Sequence, residues 1–345
     1  SMRKYSIAVV GATGAVGEEI FRVLEEMDFP VGDVLPLASA KSVGKEIEFK
    51  GKNYPIVELT DTVFDEHEVD IAFFSAGGSI SAHFAPFAAA SGTIVIDNTS
   101  HFRMDPEVPL VVPECNPGDI AQWQNKGIIA NPNCSTIQMV QVLKPLDDAF
   151  GIQRVDVSTY QATSGAGKKG MEELVMQMQK FFEFKLDECE PSAFKHQIAL
   201  NVIPHIDVFL DNDYTKEEMK MVKETQKILH KDIQVSATCV RVPVLRSHSE
   251  SITIKFKTPI DAQKATQILK NAPSVVVQDS PKDNLYPMPI HASDTNETYV
   301  GRIRKDNYDD SILHLWCVAD QIRVGAATNA VRIAQKWIEM QEQNG

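Results

Sequence analysis

The chain has 345 residues and a mass of 38.3 kDa, which suits about two domains. Hydrophobic residues make up 43% of it and charged residues 23%, a composition that excludes a disordered or collagen-like chain. The formal net charge is −13, from 34 basic and 47 acidic residues. This charge argues against nonspecific nucleic-acid binding and against binding to an anionic membrane surface.

Membrane and metal-binding patterns are absent from the sequence. No apolar run reaches the ~18 residues that a membrane helix needs. The five cysteines are odd in number and include no CxxC pair, which predicts neither a disulfide framework nor a metal site. A reducing, cytoplasmic location fits this cysteine usage.

The first part of the chain is predicted to alternate between short apolar strands and amphipathic helices. Tyr5–Val10 is a β-branched apolar run that ends at a glycine, and the apolar residues of 15–27 recur at helical spacing. Further elements are predicted as strands at 34–38, 69–75 and 93–97, a helix at 79–90 and a hairpin at 45–57. Apolar strands that alternate with helices imply a parallel sheet covered on both faces, as in a Rossmann-like α/β domain.

After about residue 130 the helices lengthen, and polar and apolar residues alternate along the strands. Helices are predicted at 134–150, 170–184 and 215–231, and strands at 154–161, 235–242, 250–257, 299–304 and 311–318. This pattern predicts an α+β domain with a mixed sheet. We therefore expect domains at 2–130 and 131–323, and a last helix at about 324–343 that packs back on the first domain.

Two features of the first domain indicate a nucleotide site. Gly11, Gly14 and Gly17 follow a strand and open a helix in a GxxGxxG spacing, which allows backbone N–H groups to approach a pyrophosphate. An ordinary glycine-rich turn is the alternative interpretation. The second strand carries no carboxylate at its end, and Lys41 with Ser42 suits a 2′-phosphate, which favours NADP. A solvated surface lysine is the alternative there.

Cys134 is the predicted nucleophile. It follows Pro132 and Asn133 and directly precedes an apolar pattern of helical spacing, so its sulfur should lie at a helix N-terminus. There the helix dipole lowers a thiol pKa and N–H groups stabilise an oxyanion. A buried structural cysteine is the alternative, and it describes Cys239 and Cys317 better because both lie within strands.

A cysteine nucleophile needs an acid/base partner, and His248 is the best of nine histidines. It is predicted to lie in a loop between two strands, after Pro243 and beside two serines. The remaining histidines fall on predicted helices, within a strand or among polar loops, where a surface role is the default.

Seven motifs then occur in a fixed order along the chain: GATGAVG, DNTSHFR, PNCST, STYQATSGAG, EEMKMVKET, RVPVLRSHSES and GRIRKD. From Ile7 to about Ala334 the chain resembles the aspartate-β-semialdehyde dehydrogenase family. The resemblance implies reductive dephosphorylation of β-aspartyl phosphate by NADPH, which gives aspartate semialdehyde and phosphate. It also implies a cytoplasmic homodimer in lysine, methionine and threonine biosynthesis, with an NADP-binding first domain and a catalytic, dimerising second domain.

The resemblance assigns roles to individual residues. Cys134 resembles the acyl-thioester nucleophile, His248 the acid/base and Gln161 the residue that positions the substrate. The substrate-binding residues of the family match Arg241 for the α-carboxylate, Glu217 for the amino group, and Arg103 and Lys220 for the phosphate. A one-residue slip would exchange Glu217 with Glu218. The cofactor contacts of the family match Gly11, Thr13, Gly14, Ala15, Val16, Lys41, Ser42, Ser164, Gly165 and Gln321.

Two kinds of protein compete with this interpretation. N-acetylglutamyl-phosphate reductase and glyceraldehyde-3-phosphate dehydrogenase share a nucleotide domain, a cysteine and a histidine, but their cysteine motifs differ from PNCST. A noncatalytic NADP-binding sensor could use Cys134 as a redox switch. Such a sensor would not need Gln161, Arg241 and His248 together.

Overall fold

The computed structural model describes residues 3–344, which form two compact units. Unit 1 contains the residues up to Asn133 together with those from Ala326 onward, and unit 2 contains Cys134–Gly325. Met2, where the first predicted domain begins, lies outside the described residues. No helix among residues 3–344 is long and apolar enough to cross a membrane.

Unit 1 is built on a parallel sheet of short, mostly apolar strands. Its elements are β1 (Tyr5–Val10), α1 (Ala15–Glu26), β2 (Val31–Ala38), β3 (Glu46–Phe49), β4 (Lys52–Pro55), β5 (Val57–Glu58), α2 (Val63–Glu66), β6 (Ile71–Phe74), α3 (Gly78–Ala90), β7 (Ile94–Asp97) and β8 (Ile128–Ala130). Six strands pair in parallel in the order β5-β2-β1-β6-β7-β8, and β3 pairs with β4 as a hairpin. The Rossmann-like sheet and the hairpin predicted from the sequence are confirmed.

The strand order places a crevice at the carboxyl end of β1. The chain runs from β1 to β2 on one side and returns to β6 on the other, so the direction of winding changes beside β1. Parallel sheets bind nucleotides at such a switch point. The strand itself is anchored in the core, because the side chains of residues 7–10 are fully buried. Ile20, Val23 and Leu24 of α1 bury the face of the helix that packs on it.

Unit 2 is an α+β unit with a mixed sheet, as predicted. Its elements are α4 (Cys134–Phe150), β9 (Ile152–Gln161), α5 (Gly167–Phe182), α6 (Lys216–Leu229), β10 (Gln234–Arg241), β11 (His248–Phe256), α7 (Ala262–Lys270), β12 (Val275–Val277), α8 (Pro289–Ala292), β13 (Thr298–Lys305) and β14 (Ile312–Ala319). The strand order is β10-β9-β11-β14-β13-β12, with parallel pairs at both edges and antiparallel pairs between them.

Three strand ends meet at one edge of this second sheet. Gln161 ends β9 and Arg241 ends β10, and the two residues face each other in the parallel register. Because β11 runs antiparallel to β9, its first residue, His248, lies at the same edge. The prediction that His248 lies in a loop is therefore wrong. The polar residues from His248 to Ser251 hide the start of the strand from a search for apolar alternation.

The last helix, α9 (Thr328–Asn344), belongs to unit 1 and follows a single π-helical turn at Arg323–Ala327. It contributes Val331, Ala334 and Ile338 to the core of that unit. The ring of Trp337 meets the ring of Tyr5 edge to face, with centroids 6.5 Å apart. The helix thereby covers part of the sheet that begins with β1.

Candidate active site

Cys134 is the first residue of α4, as its sequence context predicts, and it is half-buried. The helix dipole and the N–H groups of a first turn favour negative charge at this end, so the position suits a thiolate. Gly325 leaves room beside it, because a Cβ on residue 325 would lie 2.7 Å from the Cys134 Cβ. Burial instead raises the pKa of the Cys239 and Cys317 thiols, so those two cysteines stay protonated.

Arg241 is a buried cation close to two groups of unit 2 that can carry negative charge. Its side chain is buried, and its Nη1 donates a hydrogen bond to the Ala162 carbonyl oxygen at 2.7 Å. The guanidinium interacts electrostatically with Glu217 and Cys134. Burial lowers the pKa of Arg241, but the ordinary pKa of a guanidinium group is so high that Arg241 stays charged. Its Nε has no partner among residues 3–344, so this buried cation can still bind an anion.

His248 is fully buried and held by one backbone hydrogen bond. The Ala162 N–H donates to His248 Nδ1 at 2.9 Å, so the neutral ring carries its proton on Nε2. Burial, helped by the charge of Arg241, holds the pKa of His248 well below its usual 6.5. The ring is therefore neutral at pH 7. Its Nε2 has no partner in the described part of the chain and is available as a donor.

The loop after β9 comes close to both of these side chains. A Cβ on residue 165 would lie 2.7 Å from Arg241 Nη1 and 3.3 Å from His248 Nε2, so only glycine allows this approach. Ser164 Oγ donates a hydrogen bond to Gln321 Oε1 at 2.8 Å. The structure therefore brings together Ser164 and Gln321, two cofactor contacts that the resemblance assigns, and places Gly165 against the candidate catalytic groups.

Gln161 connects the sheet edge to α6. Its Nε2 donates a hydrogen bond to Glu217 Oε2 at 3.0 Å. Lys220, three residues further along the helix, lies with its Nζ 3.8 Å from Glu217 Oε1 and 3.3 Å from Asp207 Oδ2. Asp207 was not predicted, and its position in a long loop gives no sequence signal for this contact.

A helix cap distinguishes the surroundings of Glu218 from those of Glu217. Glu218 Oε1 accepts a hydrogen bond from the Thr215 N–H, and the Thr215 hydroxyl accepts one from the Glu218 N–H. Glu218 Oε2 also accepts from the Cys239 N–H at 2.9 Å. Both carboxylate oxygens of Glu218 therefore accept hydrogen bonds from the backbone, whereas Glu217 faces Gln161. The T-x-x-E spacing of a capping box could have indicated this from the sequence.

A cleft of ≈ 530 Å³ lies at the switch point of unit 1. Two glycines of the turn and helix beside it are required by geometry, since Gly11 has a φ of +88° and a Cβ on Gly17 would lie 2.0 Å from the Gly11 oxygen. Its lining comprises Val10, Gly11, Thr13, Gly14, Ala38, Ser39, Ala40, Ser42, Glu58, Leu59, Ser75, Ala76, Ile80 and Phe84. The predicted contacts Ala15 and Val16 are the first two residues of α1, at whose N-terminus the cleft lies.

Three charged residues of unit 1 bear on the predictions. Lys41 is exposed on the 3₁₀ turn Ala40–Ser42 and does not itself line the cleft. Glu58 does line it, because β5 pairs with β2 and places Glu58 beside Ala38. The two-residue strand that carries Glu58 is too short to predict. Arg103 is buried in unit 1, where its Nε donates to the Asn131 carbonyl oxygen at 2.9 Å.

Two family models match the chain. A model described as semialdehyde dehydrogenase, NAD binding domain, matches residues 6–123, and one described as semialdehyde dehydrogenase, dimerisation domain, matches residues 143–324. An aspartate-semialdehyde dehydrogenase of Campylobacter jejuni is 72% identical over 338 residues, which cover 98% of both chains. The chain belongs to the aspartate-semialdehyde dehydrogenase family.

Solved structures of the family agree with this assignment. The aspartate semialdehyde dehydrogenase II of Vibrio cholerae, complexed with ASA, is 47% identical and superposes with a TM-score of 0.94 over 98% of this chain and 99% of that one. The enzyme of Candida albicans with NADP is 25% identical, with a TM-score of 0.74 over 98% and 99%. The family, the fold class and the class of enzyme predicted from the sequence, an oxidoreductase with a nucleotide-binding domain, are confirmed.

Proposed function

We propose that the chain catalyses the NADPH-dependent reductive dephosphorylation of β-aspartyl phosphate (L-4-aspartyl phosphate) to L-aspartate 4-semialdehyde and phosphate. The observation that carries the proposal is the convergence of His248, Gln161 and Arg241 at one sheet edge, with Cys134 within the electrostatic reach of Arg241. The names of the similar proteins support the substrate. The reaction belongs to lysine, diaminopimelate, methionine and threonine biosynthesis, in the cytoplasm.

The residues of unit 1 fit a dinucleotide. Gly11 and Gly17 allow the tight turn that opens α1 beside the cleft, where backbone N–H groups of a helix start suit a pyrophosphate, and Thr13, Ser39 and Ser42 supply hydroxyl groups. In this proposal residues 2–130 and the last helix hold NADP, and residues 131–323 carry the catalytic groups and contribute Ser164, Gly165 and Gln321. When bound, the nicotinamide of NADPH supplies the hydride that reduces the thioester.

Cys134 carries the covalent chemistry. Its thiolate attacks the β-carbonyl carbon, a carbon–sulfur bond forms, and the carbon–oxygen bond to phosphate breaks as phosphate leaves with the bonding electrons. The product is a thioester on Cys134. After reduction, the tetrahedral oxygen bears a negative charge, and its collapse releases the aldehyde and restores the thiolate.

His248 acts on that oxygen through Nε2. Because Nδ1 accepts the Ala162 N–H, the neutral ring offers a proton at Nε2 and no lone pair there. Complete transfer of this proton would leave an anionic ring unless Nδ1 gave up its bond to Ala162 and took up a proton of its own. Collapse of the oxyanion balances without such a transfer. The geometry therefore supports a hydrogen bond from Nε2 that stabilises the oxyanion, in place of the full proton transfer of the acid/base role that the resemblance implies.

The remaining side chains match the charges of the substrate. Arg241 has an unused buried donor for the α-carboxylate, and Glu217 supplies a carboxylate for the ammonium group. Lys220 and Arg103 are the proposed phosphate ligands. A chain of net charge −13 needs such local cations to bind an anionic acyl phosphate.

Arg241→Lys is expected to raise KM for the amino-acid substrate by roughly tenfold to a hundredfold, while kcat falls less. Lysine keeps the charge but cannot reproduce the planar donor group, and it would lose the hydrogen bond to the Ala162 oxygen. Steady-state kinetics with aspartate semialdehyde as the varied substrate measures this. Lys223→Arg, on α6, is the matched control. A fall in kcat at constant KM would contradict substrate binding by Arg241.

Asp207→Asn is expected to lower KM for phosphate in the reverse reaction by about twofold to fivefold. Asp207 holds the Lys220 ammonium group at 3.3 Å, and this partly exposed pair competes only weakly with an incoming phosphate. Removing the carboxylate leaves Lys220 with the more distant Glu217 Oε1, at 3.8 Å, and removes a charge that repels phosphate. Asp211→Asn, in the same loop, controls for net charge. An unchanged or raised KM would argue against Lys220 as a phosphate ligand.

Lys41→Asp is expected to lower kcat/KM for NADP by roughly tenfold and to spare NAD. The aspartate would replace a cation beside the 2′-phosphate with a repulsive charge, next to the carboxylate of Glu58. Paired assays with both cofactors measure the ratio, and Lys45→Asp provides a control at a neighbouring exposed lysine. Equal losses of kcat/KM with both cofactors would show that Lys41 does not recognise the 2′-phosphate of NADP.

A homodimer is part of the proposal. It is supported by the dimerisation-domain match over residues 143–324 and by an apolar surface on unit 2. The exposed apolar side chains of one loop of that unit are Leu200, Val202, Val208, Phe209 and Leu210. Neither nucleic acid nor a membrane is a proposed partner, and the only small molecules are the substrate, phosphate and the cofactor.

The reaction itself is tested by following NADPH consumption. We expect consumption with β-aspartyl phosphate and release of one phosphate per NADPH. N-acetylglutamyl phosphate, assayed in parallel, should give no turnover. Turnover with the acetylated substrate would point to the competing reductase, and binding of NADP without turnover on either substrate would point to a sensor.

A further inference from the structure

Thr159 is a fully buried residue of β9, two positions before Gln161. Alternate residues of a strand share one face, so the two side chains point to the same side of the sheet. The Thr159 hydroxyl donates a hydrogen bond to Gln161 Oε1 at 2.8 Å. It lies within the STYQATSGAG motif, but the family resemblance assigns it no role.

The contact fixes one end of the Gln161 amide, and Glu217 fixes the other. Gln161 Nε2 donates to Glu217 Oε2 at 3.0 Å. If the amide were turned over, its oxygen would face the carboxylate, which has no proton to offer. Thr159 and Glu217 therefore support the same orientation from opposite ends, and the buried amide is held in one position.

The two neighbouring strands offer Thr159 no stronger acceptor. Cys239 on β10 and Glu250 on β11 are its register partners. Burial raises the pKa of both side chains, which favours their neutral forms. The Thr159 hydroxyl also reaches the Cys239 thiol, but a neutral thiol accepts hydrogen bonds weakly, and the Glu250 carboxyl group makes no hydrogen bond among residues 3–344. The amide oxygen of Gln161 therefore keeps the Thr159 proton.

We propose that Thr159 is a positioning residue, whose hydroxyl holds Gln161 in the orientation that aligns the acyl group with Cys134. The inference rests on the proposed function, in which Gln161 contacts the substrate. It differs from a packing role because it depends on the hydroxyl proton and on the presence of Gln161.

The test compares two substitutions of Thr159. Thr159→Val keeps the shape and removes the donor, and we expect kcat to fall about tenfold while KM for aspartate semialdehyde changes less than about twofold. Thr159→Ser keeps the donor and should retain kcat within about twofold. Thr253→Val removes a hydroxyl from β11, where Thr253 contacts His314, and should leave kcat unchanged.

A double substitution separates positioning from packing. In a Gln161→Ala background, Thr159→Val should lower kcat less than about twofold further, because the group that it positions is gone. The inference is overturned if Thr159→Val keeps full kcat, if the serine variant loses as much as the valine variant, or if the two losses multiply. If Thr159→Val does not fold by circular dichroism, Thr159→Ala takes its place beside Thr159→Ser. Wild-type turnover tests the proposed function separately.

Discussion

Cys134→Ala is expected to abolish turnover, with kcat lower by several orders of magnitude. The substitution removes the atom that forms the thioester, so the covalent route itself is lost. Iodoacetamide should alkylate Cys134 of the wild-type protein, because this cysteine lies half-buried at a helix N-terminus. The alkylated cysteine can no longer form the thioester. The measurements are kcat and the mass of the labelled protein.

The matched control for this experiment is Cys189→Ala. Cys189 is also half-buried, but it lies outside the helix starts and the candidate site. We expect the control variant to keep its kcat and to be labelled at Cys134 as the wild type is. Near-normal turnover of Cys134→Ala would remove the nucleophile assignment and the thioester mechanism with it.

His248→Ala is expected to lower kcat by roughly 10²–10⁴-fold while Cys134 can still be alkylated. The loss reflects the missing donor to the reacting oxygen, not the loss of the covalent step. A burst of phosphate release in the first turnover should still show that the thioester forms. His67→Ala, at an exposed position of unit 1, is the control. Loss of both alkylation and the burst would instead place His248 in thiolate formation.

The pH profile offers a second view of His248. Burial and the charge of Arg241 lower its pKa well below 6.5, so the ring is neutral from there upward and becomes charged only in more acidic solution. We therefore expect the plots of kcat against pH for the wild type and for His248→Ala to have the same shape near pH 6.5, with no inflection that belongs to the wild type alone. Such an inflection, present in the wild type alone, would mean that the ring gives up its bond to Ala162 and titrates during turnover.

Much of the fold could be predicted because its strands and helices carry strong periodic signals. The apolar run Tyr5–Val10 and the helix that begins at Cys134 are examples. The strands β5, β8 and β12 were missed, since two or three residues are too few to show a pattern. Helix α7 was also missed, although Asp261 accepts hydrogen bonds from the N–H groups of Gln263 and Lys264 as a helix cap does.

The candidate site shows a different limit. Residue types and motifs pointed to Cys134 and Arg241, but they could not give the partners of each atom. The start of β11 at His248 was hidden because pairing with β9 and β14, not apolar alternation, makes this segment a strand. The contact of Lys220 with Asp207 depends on a loop whose path has no local signal. These features follow from tertiary pairing, which one sequence does not display.

The meeting of three strand ends at one edge of the sheet affects how readily the backbone of the site opens to solvent. β9 is paired along its length with β10 on one side and β11 on the other, so its backbone amides exchange with solvent only when the centre of the sheet opens. Gln161, Arg241 and His248 are terminal residues of these strands, and the Arg241 N–H is held by the Ile203 carbonyl oxygen at 2.8 Å. The backbone of the candidate site is therefore already held by strand pairing and loop hydrogen bonds, and substrate binding has little backbone left to order there.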